Sequence, residues 1–405
     1  MIGKCTADKC VMEHHLHGTC SREEKMRPRD LQYRMPAEWE KHERTYISWP
    51  VRDSMVHPGR YEDVCRGYAE IVHAIAEFEP VTVVVNPEDV RSGEREGFGD
   101  DDGRGTQTAV ANAETLPPFG ERIGHLVIPH NDAWLRDNGP TFLVDGRGNL
   151  AGVNWRFNAW GGKYAPWDLD DAVAPHILEH AGARRFDAPL VMEGGSFHTD
   201  GEGTLITTEE CLLNPNRNPH LSREEIEDFL RAYLNVERII WLKRGLSGDE
   251  TDGHVDNIAS FAAPGKVLLQ VCGDPGDENY GITQENLDIL RQAVDAKGRR
   301  LEIIPVEQPP AAFFHGKRLT LSYLNFYFVN GGIILPVFGG EAEETDRRAI
   351  ETFRSVFPDR TIRTVDGMAI VSEGGNVHCT TQQMPQAAAA ASGSPETGGQ
   401  DPHGR

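Results

Sequence analysis

Asp145-Gly146-Arg147-Gly148 lies between two strand-like runs, and the same arrangement returns at Asp200-Gly201-Glu202-Gly203, Pro264-Gly265-Lys266 and Asn330-Gly331-Gly332. Glycine reaches left-handed backbone conformations without a Cβ clash, so such stretches favour tight hairpin turns. Counted between first turn residues, they recur at offsets of about 55, 64 and 66 residues, a period expected of repeated supersecondary units. A hairpin followed by a helix and a strand fills each unit. The pattern therefore predicts an α/β fold of ββαβ-type modules, about five of them, closing into a propeller-like ring with pseudo-symmetry.

Local signals outward from the turns agree. Val81 to Val85 is a β-branched run, and Leu126 to Ile128 and Phe142 to Val144 read as short buried strands. Ser222 followed by Glu225 is a capping-box pattern, with apolar residues recurring at Ile226, Phe229, Leu230 and Tyr233. Arg347 to Phe357 is a second predicted helix. The repeat belongs to a domain spanning 31–386. Residues 1–30 read as a flexible leader carrying Cys5, Cys10, His14, His15, His17 and Cys20, whose spacing matches no standard zinc finger. Residues 387–405 read as a disordered tail, and Arg91 to Gly120 as a long surface loop.

Composition narrows the function. The chain has 405 residues, 39% of them hydrophobic, enough for a sizeable core. With 41 Lys+Arg against 63 Asp+Glu, the net charge is −22, which repels phosphate backbones and argues against a nucleic-acid partner. The same field attracts a small cation. No apolar run reaches membrane-spanning length, and no secretory signal pattern opens the chain. Seven scattered cysteines fit a reducing compartment, so a cytoplasmic location is expected.

Polar residues cluster upstream of the turns: Asp137, Glu193, His254 with Asp256, Tyr323 with Asn325, and Cys379. Equivalent positions in a ring of repeats would all face its axis. In His254-Val255-Asp256, an extended backbone would put imidazole and carboxylate on one face, ready for acid–base work beside a cation; an ordinary polar strand end has the same look. Cys379, in Gly374-Gly375-Asn376-Val377-His378-Cys379, is a candidate nucleophile among glycines that permit close approach of a ligand. A lone cysteine also serves as packing, which is the reading for Cys65, Cys211 and Cys272. Carboxylates such as Asp137 and Glu193 could clamp a planar guanidinium, although Arg136 could instead pair with an acid inside the fold.

Taken in order, Trp134-Leu135-Arg136-Asp137-Asn138-Gly139-Pro140, Glu193-Gly194-Gly195, Gly253-His254-Val255-Asp256-Asn257 and Gly374-Gly375-Asn376-Val377-His378-Cys379 closely resemble agmatine deiminases. These form part of the peptidyl-arginine-deiminase-like branch of the guanidine-modifying superfamily. Phe157 to Tyr164, Asn214 to Pro219 and Met35 to Pro50 resemble that family too, so the likeness runs from about residue 30 to 386. It implies a five-bladed α/β propeller that needs no cofactor or metal. It implies Cys379 as nucleophile, His254 as general acid/base, Asp137 and Asp256 as guanidinium ligands, and Glu193 in support of His254 or the guanidinium. Trp134 and Glu250 would flank and hold the distal amine of agmatine, with Asp252 competing for that role. The cation beside Cys379, together with His254, would favour its thiolate. Self-association is left open. The competing readings are a deiminase of free or peptidyl arginine, an amidinotransferase, and a non-catalytic polyamine-binding relative.

Overall fold

Val81–Val85 is buried along its whole length, the signature of a parallel strand covered on both faces, and it organises the first of five similar sheets. The computed structural model describes residues 26–54, 57–89, 117 and 120–387. Residues 1–25 of the leader with its Cys/His cluster, nearly all of the 91–120 loop and residues 388–405 of the tail lie outside the described residues, whereas the end of the leader enters a 3-10 turn at Pro28–Leu31. The first sheet contains β1 (His42–Ser48), β2 (Val81–Val85) and β3 (Ile123–Val127), with helix α1 (Tyr61–Ala76) crossing between β1 and β2. The second holds β4 (Thr141–Val144), β5 (Leu150–Arg156), α2 (Val173–His180) and β6 (Arg184–Val191). The third holds β7 (Phe197–Thr199), β8 (Thr204–Thr208), α3 (Arg223–Leu234) and β9 (Arg238–Leu242). The fourth holds β10 (Ala259–Ala263), β11 (Lys266–Val271), α4 (Asn279–Gln292) and β12 (Glu302–Glu307). After a small hairpin, β13 (Phe313–Phe314) with β14 (Lys317–Arg318), the fifth holds β15 (Tyr327–Val329), β16 (Gly332–Val337), α5 (Glu343–Val356) and β17 (Thr361–Asp366).

In sheets two to five the first two strands pair antiparallel and the helical crossover returns the third strand parallel to the second. The four glycine turns of the sequence are the four hairpin turns, and Gly146, Gly201, Gly265 and Gly331 all have positive φ. The first sheet has the same order, but its antiparallel partner is the last strand of the chain. β18 (Thr381–Pro385) pairs with β1, Thr381 opposite Ile47. The five sheets remain separate, and none closes on itself.

Helices and sheets pack through apolar faces. α5 contributes Phe353, which meets Phe326 at 4.8 Å edge-to-face beneath the fifth sheet. α5 begins at Glu343 rather than at the expected Arg347; an acidic first turn complements the partial positive charge of a helix N-terminus. The capping box on α3 is present in both directions, with Glu225 N donating to Ser222 Oγ at 3.2 Å and Ser222 N donating to Glu225 Oε2 at 2.8 Å. Among the described residues no helix is long and apolar enough to cross a membrane.

Replacing Ser222 by Ala removes one of these bonds at a helix end. It should cost about 1 kcal/mol, read as a lower urea midpoint with catalytic turnover unaltered.

Candidate active site

The expected site residues lie in short helical turns that lead into the first strand of each sheet. Asp137 sits in Leu135–Asn138 ahead of β4, Glu193 caps Gly194–Ser196 ahead of β7, and His254 precedes Val255–Asn257 ahead of β10. Cys379 sits in Val377–Thr380 ahead of β18. The extended reading of His254-Val255-Asp256 is thereby corrected to a tight turn. Gly253, at φ +86° and packed against Gly245, admits the reversal. The structure brings Cys379, His254, Asp137, Asp256 and Glu193 together, all of them buried.

Asn325 Nδ2 donates to Cys379 Sγ at 3.1 Å, and Sγ lies 3.5 Å from Asp256 Oδ2. Burial, then Asp256 and Asp137, push the thiol well above its ordinary pKa. Among the described residues the hydrogen-bond partners of Sγ are these two, and His254 is not one of them. These surroundings favour the thiol over the thiolate, and His254 makes no direct hydrogen bond that would stabilise the thiolate. His254 instead lies between carboxylates, Nδ1 3.8 Å from Asp137 Oδ1 and Nε2 3.8 Å from Glu193 Oε2. Burial works against its charge, but Asp137, Cys211 and Glu193 outweigh burial and raise its pKa well above the ordinary value. These neighbours favour its charged form.

The carboxylates are held from behind. Asp137 accepts from Gly195 N at 3.0 Å and from Trp160 Nε1 at 2.9 Å. Asp256 Oδ2 pairs with His378 Nδ1 at 2.9 Å, and His378 Nε2 lies 3.0 Å from Glu38 Oε1. Burial opposes ionisation of Asp256, but His378 overrides it and keeps the pKa low. Asp256 Oδ1 is buried without a hydrogen-bond partner, an acceptor the fold does not use. Glu193 Oε1 accepts from Arg217 Nε at 2.6 Å, so Glu193 is placed to support His254. Arg136 pairs with Glu38 at 3.4 Å. Arg217 and Arg136 are thus both engaged within the protein.

A funnel of about 490 Å³, its open mouth included, leads to Cys379. Trp134, Trp160 and Tyr164 form aromatic walls, and Asp132, Asp137, Glu250 and Glu373 supply carboxylates. Ala159 and Trp160 carry positive φ of 53° and 54°, strain of a kind found where a side chain must be aimed at a site. Glu250, the expected amine ligand, lines the funnel and accepts from Tyr164 OH at 2.7 Å. Asp252 does not. Its oxygens are taken by Lys163 at 2.7 Å and Arg217 at 2.7 Å, because φ of +63° turns it toward those cations.

Residues 34–385 match the Porphyromonas-type peptidyl-arginine deiminase family. The chain belongs to that family. It is 49% identical over 359 residues to a relative from Legionella pneumophila strain Philadelphia 1, covering 89% of this chain and 97% of that one. It is 45% identical over 385 residues to the agmatine deiminase of Stutzerimonas stutzeri, covering 88% and 97%. Among solved structures, the agmatine deiminase of Enterococcus faecalis superposes with a TM-score of 0.79 at 36% identity, covering 90% of this chain and 98% of that one. As in other α/β proteins, the fold alone would not specify chemistry; identity at this level across nearly the whole length does specify the family.

Sequence reasoning did not single out Glu38, Trp160, Tyr164, Glu373 or His378 for the site. Trp160 and Tyr164 were within reach, since both lie in a stretch with family likeness. Asn325 was visible through its repeat position alone.

A Cβ on Gly195 would lie 2.6 Å from His254 Nδ1, 2.9 Å from Asp256 Oδ2 and 3.0 Å from Asp137 Oδ1. Gly195→Ala should lower kcat/KM by about 100-fold through sub-ångström displacement of these groups, with the far-ultraviolet circular dichroism unchanged. A second expectation concerns Asp132, whose carboxyl burial raises to about 7, and Asp170, raised likewise to about 7 by burial and by Asp132. An acid whose folded pKa lies above its unfolded value leaves stability intact below about pH 4 and erodes it as pH climbs toward 7. Asp132→Asn should therefore gain stability over wild type progressively between about pH 4 and 7, by no more than a few kcal/mol, and hold that gain above. Urea midpoints at several pH values check this.

Proposed function

We propose that this protein is an agmatine deiminase, hydrolysing agmatine to N-carbamoylputrescine and ammonia on a route to putrescine. The observation that carries the reading is the funnel over Cys379. Carboxylates stand at its base and along its walls, and among the described residues the basic group that reaches it is the Lys317 ammonium, paired with Glu250 at the mouth. Agmatine is a guanidinium and an ammonium joined by four methylenes. Asp137 and the unused Oδ1 of Asp256 suit the guanidinium, the aromatic walls suit the methylenes, and Glu250 suits the ammonium. Arginine would bring its α-carboxylate toward Glu373 and Glu250, where like charges disfavour it.

The mechanism follows from the geometry. Before substrate binds, burial and the neighbouring Asp256 and Asp137 disfavour ionisation of the Cys379 thiol. A bound guanidinium cancels that negative field, and the thiol gives its proton to water. Asn325 Nδ2 then hydrogen-bonds the thiolate. Sγ bonds to the central guanidinium carbon, and His254 gives its proton to one terminal nitrogen. The carbon–nitrogen bond breaks, ammonia leaves, and a cationic thiouronium remains on Cys379. Neutral His254 takes a proton from water as the hydroxide adds to the same carbon. The sulfur–carbon bond breaks, the ureido product gives its remaining proton to solvent, and the released thiolate takes a proton from solvent to restore the thiol. Asp137 and Glu193 flank His254 and stabilise its charged form at both ends of this cycle.

The five sheets are, in this reading, the blades of a five-bladed pseudo-symmetric α/β propeller whose axis passes the site. Their shared strand order and the pairing of β18 with β1 support it. The deiminase domain covers 31–386, and the location is cytoplasmic. Peptidyl arginine is the competing substrate, and it would need room at the mouth for a chain on both sides.

Purified protein incubated with agmatine, arginine and a blocked arginine peptide tests the reading. Agmatine should exceed arginine in kcat/KM by about 100-fold or more, given the like-charge penalty. Cys379→Ala should lose on the order of 1,000-fold or more in kcat, as expected when a covalent acceptor is deleted. Ureido product formed mainly from arginine or from the peptide would overturn the substrate assignment while leaving the chemistry in place.

A further inference from the structure

The hairpin of β13 and β14 pairs Phe313 with Arg318 and Phe314 with Lys317. An isolated two-stranded ribbon is marginal by itself, and this one is tied to the body at its base. Arg318 binds Asp277 through contacts of 2.8 and 2.9 Å, and Leu319 N donates to Ala312 O at 2.9 Å. From that base it reaches the funnel mouth at two carboxylates. The Lys317 ammonium pairs with Glu250 Oε1. On the other side, Phe314 meets the His57 ring edge-on at 4.7 Å and His315 stacks on it at 5.3 Å, while His57 N donates to Glu373 Oε2 at 3.1 Å. The turn residues His315 and Gly316 both have positive φ, 49° and 80°.

We propose that Lys317 is a specificity-determining residue, its ammonium occupying the carboxylate that the substrate's distal amine needs, so that a guanidine with its own second cation displaces it. The proposal rests on the agmatine reading above. Glu250 has one oxygen on Tyr164 and the other on Lys317, and the Lys163 ammonium sits on its backbone carbonyl. A third cation brought to that carboxylate would face two like charges, and Lys317 is the one free to swing away, its side chain 51% exposed. Exposed ion pairs are weak, so displacement is affordable to a ligand that replaces the lost contact. A guanidine without an amine offers no replacement, and Lys317 stays.

The test compares wild type, Lys317→Met, Glu250→Gln and the double variant, with agmatine and with butylguanidine, which lacks the amine. Butylguanidine is followed as a substrate or as a competitive inhibitor. Methionine retains the apolar stem, so packing along the hairpin persists. Lys317→Met should lower KM for agmatine about three- to fivefold, the range an exposed ion pair allows. The constant for butylguanidine should stay within about twofold, and the gain on agmatine should vanish in the Glu250→Gln background. An equal gain on both guanidines would reveal a general field effect and overturn the proposal. So would an unchanged or raised KM for agmatine. Wild-type protein that fails to turn over agmatine would sink the substrate reading and this proposal with it; turnover with no selective effect of Lys317 sinks the latter alone.

Discussion

Burying several carboxylates beside a cysteine is the constraint from which the rest of this structure follows. Asp137, Asp256 and Glu193 are within a few per cent of complete burial, and an isolated buried carboxylate would give up its charge. Each keeps company with a cation drawn from elsewhere in the chain. Asp256 has His378, Glu193 has Arg217, and Asp137 with Glu193 brackets His254. Removing one partner from such a set leaves the others uncompensated. The core of the site is therefore a single charge-balanced cluster rather than a row of independent residues.

That cluster demands the topology. Its members come from turns that lead into different sheets, and a turn at the head of a strand has backbone free to bend side chains inward. The repeat sets those turns at equivalent positions. β18 then returns to pair with β1, so Cys379, immediately ahead of β18, is carried back beside the turns bearing Asp137 and Asp256. Glu38, just ahead of β1, joins the same network through His378, Arg136 and His198. The ends of the domain are thus fastened at the site of chemistry.

The electrostatics also explain how reactivity is withheld. A thiol among carboxylates resists ionisation, and the same carboxylates attract a guanidinium. In the proposed reaction, binding of the cation and activation of the sulfur become one event. At the mouth, Lys317 on Glu250 repeats the theme with a weaker, exposed pair. The net charge of −22 extends the attraction for cations over the whole protein.

Much was legible in the amino-acid sequence. The spaced glycine turns announced repeated hairpins because positive φ is a strictly local requirement. Ser222 and Glu225 announced a helix start for the same reason, each satisfying a backbone group three residues away. The chemical groups of the site were visible as types in a family-like order. Their pairing was decided in three dimensions. Glu250 and Asp252 are two residues apart, yet one lines the funnel and the other turns away to Arg217. His254-Val255-Asp256 forms a turn instead of a strand, and a turn has no period from which side-chain direction could be read. His378 and Glu38 meet across 340 residues of chain. Local rules act over a few residues and are written in them, whereas the partner of a buried charge is whichever opposite charge the finished fold brings within reach.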